Sequence, residues 1–206
     1  MTTVKVFAPA KINLTLHVTG QRDDGYHLLD SLVVFARDVG DWVSVAPSDT
    51  LELTVYGPTQ DGVPTDESNL VLKAAKLLRS LRGVSGGAAI TLENHLPNGG
   101  GIGGGTSDAA AAVKALAQLW NVDPLNSEEA LPIGSDLPVC LCAPSPMRMH
   151  GIGELLDTVP PLPSFWLVLV NPRVHIPTGD VFRIHASLYE AGPPTMEGIP
   201  SHWDFE

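Results

Sequence analysis

Hydrophobic and polar positions along the chain change period several times, and each change predicts an element. Residues 4–7 alternate as a strand does, Pro9 interrupts, and residues 12–18 alternate again. Residues 20–25, Gly-Gln-Arg-Asp-Asp-Gly, are a turn by composition. Residues 32–35 and 42–45 predict two further strands separated by a turn at 38–41, and residues 51–56 predict another. From Ser68 to Leu81 the spacing becomes helical, with Asp66 or Ser68 as the expected N-cap. Residues 88–92 return to a strand. After a run of glycines, Ala109, Ala112, Val113, Leu116, Leu119 and Trp120 form the apolar stripe of a helix from about residue 106 to 120. A meander followed by helix, strand and helix predicts an α+β layer architecture. The prolines at 160–163 mark a candidate boundary. Beyond them residues 166–170 predict an apolar strand, and past Tyr189 the chain is proline-rich without period.

Composition narrows the function classes. Of 206 residues, 44% are hydrophobic and 17% charged, enough apolar material for a core and no signature of disorder. The net charge is −11 with 12 Lys+Arg, so neither nucleic acid nor an anionic membrane surface is an expected partner. A polyanion would have to be held locally, by backbone amides, a few cations or Mg²⁺. No apolar run reaches the roughly 18 residues of a membrane span, and the first residues lack a signal-peptide layout. Cys140 and Cys142, two apart, would face opposite sides of a strand, so no disulfide is expected and a cytoplasmic setting is. No His/Cys set falls at zinc spacing, so no metal site is expected.

The richest stretch is Pro97-Asn-Gly-Gly-Gly-Ile-Gly-Gly-Gly-Thr-Ser-Asp-Ala109, in which six of the seven positions from 99 to 105 are glycine. Glycine loses the most backbone entropy on ordering, and in return permits positive φ and close approach to a ligand. This run opens directly onto a helix N-terminus, where unpaired N–H groups and the helix dipole favour an anion. Thr106 and Ser107 add hydroxyls for capping, for phosphate oxygens or for Mg²⁺. A Walker A motif would need Gly-Lys-Ser/Thr and fails at Thr106. The dinucleotide fingerprint lacks its strand context, and a protein-kinase reading lacks its partner motifs. A flexible linker is the bland alternative, but linkers are rarely wedged between a clean strand and a clean helix.

Pro97–Ala109 resembles, in expanded form, the phosphate-binding motif of the GHMP kinase superfamily, and Pro9-Ala-Lys-Ile-Asn-Leu14 resembles its N-terminal motif. Gly25-Tyr-His27, Gly134-Ser-Asp-Leu-Pro138 and Gly151-Ile-Gly-Glu154 narrow the resemblance to the branch that phosphorylates a cytidylated polyol in non-mevalonate isoprenoid precursor synthesis. The likeness runs from about Phe7 to Phe182.

That resemblance implies a GHMP kinase fold: an N-terminal ATP-binding domain over residues 1–160, like domain 2 of ribosomal protein S5, and the start of a ferredoxin-like, substrate-side domain over 161–206. It implies ATP and Mg²⁺, with ATP held by Pro97, Asn98, Gly99, Gly100, Gly101, Ile102, Gly103, Gly104, Gly105, Thr106 and Ser107. Asp136 falls at the general base that takes the proton from the substrate hydroxyl, and Lys11 at its paired lysine. Asn13, Tyr26, His27 and Phe182 fall at substrate-binding positions, Tyr26 and Phe182 flanking a cytosine ring. Without the resemblance, Asp136 reads as a turn residue, Lys11 as a solvated lysine, Gly25–His27 as a loop junction and Phe182 as core. Members of the family carry a third glycine-rich motif, with no counterpart up to Glu206. Two alternatives stay open: a GHMP kinase for another small alcohol such as mevalonate or homoserine, and a nucleotide-binding module without catalysis.

Overall fold

A computed structural model describes residues 3–172 and Val181. Two long strands organise it, β1 (Val4–Gln21) and β2 (His27–Ser48), paired antiparallel as a hairpin closed at Arg22–Tyr26. These replace the four shorter strands expected over the same residues. Pro9 does not end β1, because the pairing shifts register between Pro9 and Lys11 and absorbs the missing donor. The expected turn at 38–41 is strand as well. Gly40 lies there because a Cβ would stand 2.4 Å from the Ala8 carbonyl oxygen and 2.6 Å from the Phe7 ring.

On its other edge β2 receives two partners in succession. Residues 29–33 pair with β5 (Met147–Gly151), and residues 42–48 with β4 (Gly87–Glu93). Outside these lie β6 (Leu155–Thr158), antiparallel to β5, and β3 (Leu51–Tyr56), parallel to β4. The parallel pair is joined through α1 (Leu70–Leu81). Its N-cap is Asn69, whose side chain accepts from the Val71 N–H, rather than Asp66 or Ser68, which bond to each other.

Helix α2 (Gly104–Trp120) packs on β1 and β2 with one side and on α1 and α4 (Leu137–Leu141) with the other. It is therefore buried nearly all round instead of along one stripe, and the alanines at 109–112 let its neighbours approach closely. Leu78, Ile90, Leu92 and Leu116 are fully buried in this layer; truncating such a side chain to alanine costs about 2–5 kcal/mol. Two short helices, α3 (Ser127–Ala130) and α4 (Leu137–Leu141), complete the described domain. Cys140 and Cys142 are free thiols on and just after α4, not on a strand.

Residues 159–172 carry no strand. The expected one at 166–170 keeps its alternation, with Trp166, Val168 and Val170 facing outward, but no described strand pairs with it. None of the described helices is long and apolar enough to cross a membrane.

Candidate active site

One side of the site is the glycine turn between β4 and α2. Chain leaving β4 is gripped by Asp41 of β2, whose Oδ1 accepts from the N–H groups of His95 (2.5 Å) and Leu96 (2.8 Å) and whose Oδ2 accepts from Asn94 Nδ2 (3.2 Å). Pro97 and Asn98 follow, Asn98 donating to the Asp61 carbonyl. The backbone then takes left-handed conformations at Gly99, Gly101 and Gly103 (φ 68°, 71° and 65°), which other residues enter only with strain. The turn docks on β1 through Lys11 N–H to the Ile102 carbonyl, 2.9 Å, and a Cβ at Gly103 would stand 3.1 Å from that of Lys11.

Gly103 is the N-cap of α2, so the helix starts at Gly104, two residues before the expected start, and no side chain caps it. The first N–H with an intrahelical acceptor is that of Ser107, to Gly103; those of Gly104, Gly105 and Thr106 are left for a ligand. Ser107 is buried and its hydroxyl donates to the Pro9 carbonyl, 2.7 Å, tying the helix to β1. Thr106 is half-buried.

This turn lines a cleft of about 320 Å³, shared with Val63, Pro64, Leu96 and the start of α1 at Asn69 and Leu70. Those wall residues carry no motif; they come to the turn through the β3–α1–β4 crossover. A wider depression of about 520 Å³ along the far side of α2, from Lys114 to Pro124, contains none of the motif residues.

The other side of the site is made of side chains. Lys11 is 4% exposed, not solvated, and its ammonium lies 3.1 Å from Asp136 Oδ2 and 2.9 Å from Asn13 Oδ1. Asn13 in turn donates to Ser31 Oγ (2.6 Å), which donates to the Thr15 carbonyl. Three expected residues, Lys11, Asp136 and Asn13, are thus in one network. Asp136 heads α4 without capping it. Its turn is braced by Gly153 (φ 112°), where a Cβ would stand 2.4 Å from the Ser135 carbonyl oxygen. Glu154 fixes the same segment by accepting from the Ile152 N–H. Tyr26 and His27 lie at the hairpin end, Tyr26 exposed and His27 half-buried, beside the strand pairing of Leu29 with Gly151. Phe182 lies outside the described residues.

Asp41, which no motif announced, holds the chain that enters the turn, while Asp108 and Gly153 lie inside quoted motifs that gave them no role of their own. Asp41 falls in the expected turn at 38–41, where an aspartate is ordinary, so no local signal sets it apart. Asp108 is buried one helical turn after Gly104, and its carboxyl is pushed well above the usual range by burial and by Asp41.

A left-handed glycine turn opening an uncapped helix, beside a buried lysine paired with a partly exposed aspartate, defines a GHMP-type kinase domain. The family model described as GHMP kinases N terminal domain matches residues 69–143, from the cap of α1 past α4. A 4-diphosphocytidyl-2-C-methyl-D-erythritol kinase of Jannaschia sp. (strain CCS1) is 58% identical over 181 residues, covering 88% of this chain and 63% of the relative. One of Paramagnetospirillum magneticum (strain ATCC 700264 / AMB-1) is 54% identical, covering 94% and 68%. A crystal structure of 4-(cytidine 5'-diphospho)-2C-methyl-D-erythritol kinase superposes with a TM-score of 0.68 at 33% identity, covering 87% of this chain and 63% of that one. The chain belongs to the 4-diphosphocytidyl-2-C-methyl-D-erythritol kinase family, and it spans under two thirds of the length of the Jannaschia relative. A homoserine kinase from Cytophaga hutchinsonii, 22% identical with a TM-score of 0.58, shares the fold.

Proposed function

We propose that the protein transfers the γ-phosphoryl group of MgATP to the 2-hydroxyl of 4-diphosphocytidyl-2-C-methyl-D-erythritol, the compound for which its relatives are named as kinases. The observation that carries this is Lys11. Its main chain holds the glycine turn and its side chain holds Asp136, so one residue joins the phosphate side to the reacting side.

The chemistry follows from that arrangement. The triphosphate would lie on the N–H groups of Gly104–Thr106, and Mg²⁺ carried with the nucleotide would neutralise phosphate charge. No cluster of three metal-ligating side chains occurs among the described residues. The substrate hydroxyl is a poor nucleophile until its proton has a destination. Asp136 accepts that proton as the oxygen–phosphorus bond forms and the bond from the γ-phosphorus to the bridging oxygen breaks, releasing ADP. Lys11 holds Asp136 in place and offsets negative charge on the moving group, the electrostatic part of phosphoryl transfer. Asn13 orients Lys11, while Tyr26, His27 and Phe182 receive the cytidine. Residues 1–160 form the ATP-binding domain in this reading, and residues 161–206 open the substrate-side domain.

The test is ADP release when the protein is given ATP, Mg²⁺ and the cytidylated substrate, beside a panel of mevalonate and homoserine. ADP formed with another alcohol alone, or with none, overturns the reading.

A further inference from the structure

Asp41 and Asp108 are 0% and 3% exposed, and the charge and side chain of the neighbouring Asp41 act with burial to raise the Asp108 carboxyl. Asp41 already accepts from three donors of the 94–96 segment, which leads into the glycine turn. Its Oδ2 also lies 4.0 Å from where a Cβ would stand on Gly104, the first residue after the turn. Asp108 stands one turn further along α2 on the same side, and lines the nucleotide cleft. Its Oδ1 is buried, and no N–H or O–H donor among the described residues reaches it.

Two buried carboxylates side by side, with no cation between them, repel, and Asp108 Oδ1 lacks a donor. The surroundings supply none. On β1, Lys11 is engaged by Asp136. On α4, burial and Asp136 push the Cys140 thiol up to about 12, leaving it neutral. Next to Asp41, the His95 ring pairs with Glu93. A proton on Asp108 resolves the conflict, turning a repelling pair into a hydrogen bond from one acid to the other.

We propose that Asp41 and Asp108 hold one proton between them, and that this clasp joins the entry of the glycine turn to its exit and sets the spacing at which backbone N–H groups meet phosphate. Asp108 is then a positioning residue. The inference rests on the nucleotide reading of the turn, so the proton and the nucleotide are measured separately.

The test compares the parent with Asp108→Asn and Asp108→Ala. Infrared difference spectra of parent against Asp108→Asn should show the C=O stretch of a protonated carboxyl at neutral pH, shifting in D₂O. Calorimetric titration with MgADP should place Asp108→Asn, whose amide N–H replaces the acid proton, within about twofold of the parent, and Asp108→Ala about tenfold weaker. Raising the pH strips the proton from the parent and weakens its MgADP binding, while Asp108→Asn stays level. A missing carboxyl band, or an Asn variant as weak as the Ala variant, overturns the clasp. If Asp108→Ala does not fold, the band and the Asn variant decide. A band with no MgADP binding by the parent establishes the shared proton and sinks the nucleotide reading.

Discussion

Between Pro97 and Ser107, the phosphate side offers a ligand backbone N–H donors, and its conformation depends on glycines at positive φ and on the anchorage of both ends of the turn. On the Lys11 side the offered groups are side chains: a 4%-exposed lysine, a partly exposed aspartate and an asparagine, linked in series to Ser31. In the proposed reaction the difference follows from the tasks. A triphosphate presents many equivalent oxygens and is served by an array of fixed dipoles that costs little to reorganise. Proton transfer is aimed at one oxygen and needs one acid at a defined place, so its precision depends on what braces that acid. Lys11 belongs to both sides and keeps them in register.

If the two sides are separable in this way, substitutions on the reacting side should spare nucleotide binding. The largest effect is expected for Asp136→Asn. Turnover should fall by about 10²–10⁴-fold, the usual contribution of a positioned base, with MgADP affinity unchanged by calorimetry. A parallel loss of MgADP affinity would break the comparison. Gly153→Ala comes next. A Cβ there meets the Ser135 carbonyl at 2.4 Å in a backbone conformation that strains alanine, a penalty of about 1–3 kcal/mol, and relief must shift the turn carrying Asp136. Expected is a drop in kcat of roughly tenfold, again without change in nucleotide affinity. A loss of Tm with kcat intact would show the brace to be structural only.

The smallest effect lies away from both sides and serves as the reference. Arg82 on the C-cap of α1 forks onto Glu129 of α3 and donates to the carbonyls of Asp123 and Pro124. With the Asn126 N–H, it holds the Glu129 carboxyl down to about 2. A depressed acid contributes stability above its ordinary value of 4.5 and loses it as pH falls toward 2. The Tm deficit of Arg82→Ala should therefore be greatest near neutral pH and shrink between about pH 4.5 and 2, with the kinetics of the site untouched. A deficit that does not change with pH would mean the guanidinium acts through Asp123 and Pro124 alone.

Much of the fold is legible in local sequence pattern. Alternation and helical spacing locate β3, α1, β4 and α2, because each is specified by a local pattern. The departures fall where tertiary contacts override local signals. Pro9 and residues 38–41 look like breaks, yet they lie inside β1 and β2, because a register shift and a close approach to Phe7 and Ala8 accommodate them. Residue type and position alone suggest a solvated Lys11, and only the approach of α4 and the glycine turn shows it buried.

The sequence by itself determined that a helix would open from a glycine run and that the run could take positive φ. It also placed Lys11 and Asp136 in motifs that name the family. All of these are properties of residue type and short spacing. Tertiary structure alone decided that Lys11 and Asp136, 125 positions apart by number, are 3.1 Å from each other. It also decided that Gly153 braces the Asp136 turn and that Asp41 and Asp108 meet at the ends of the glycine turn. Such contacts arise from packing between elements distant in the chain, and no local period encodes them.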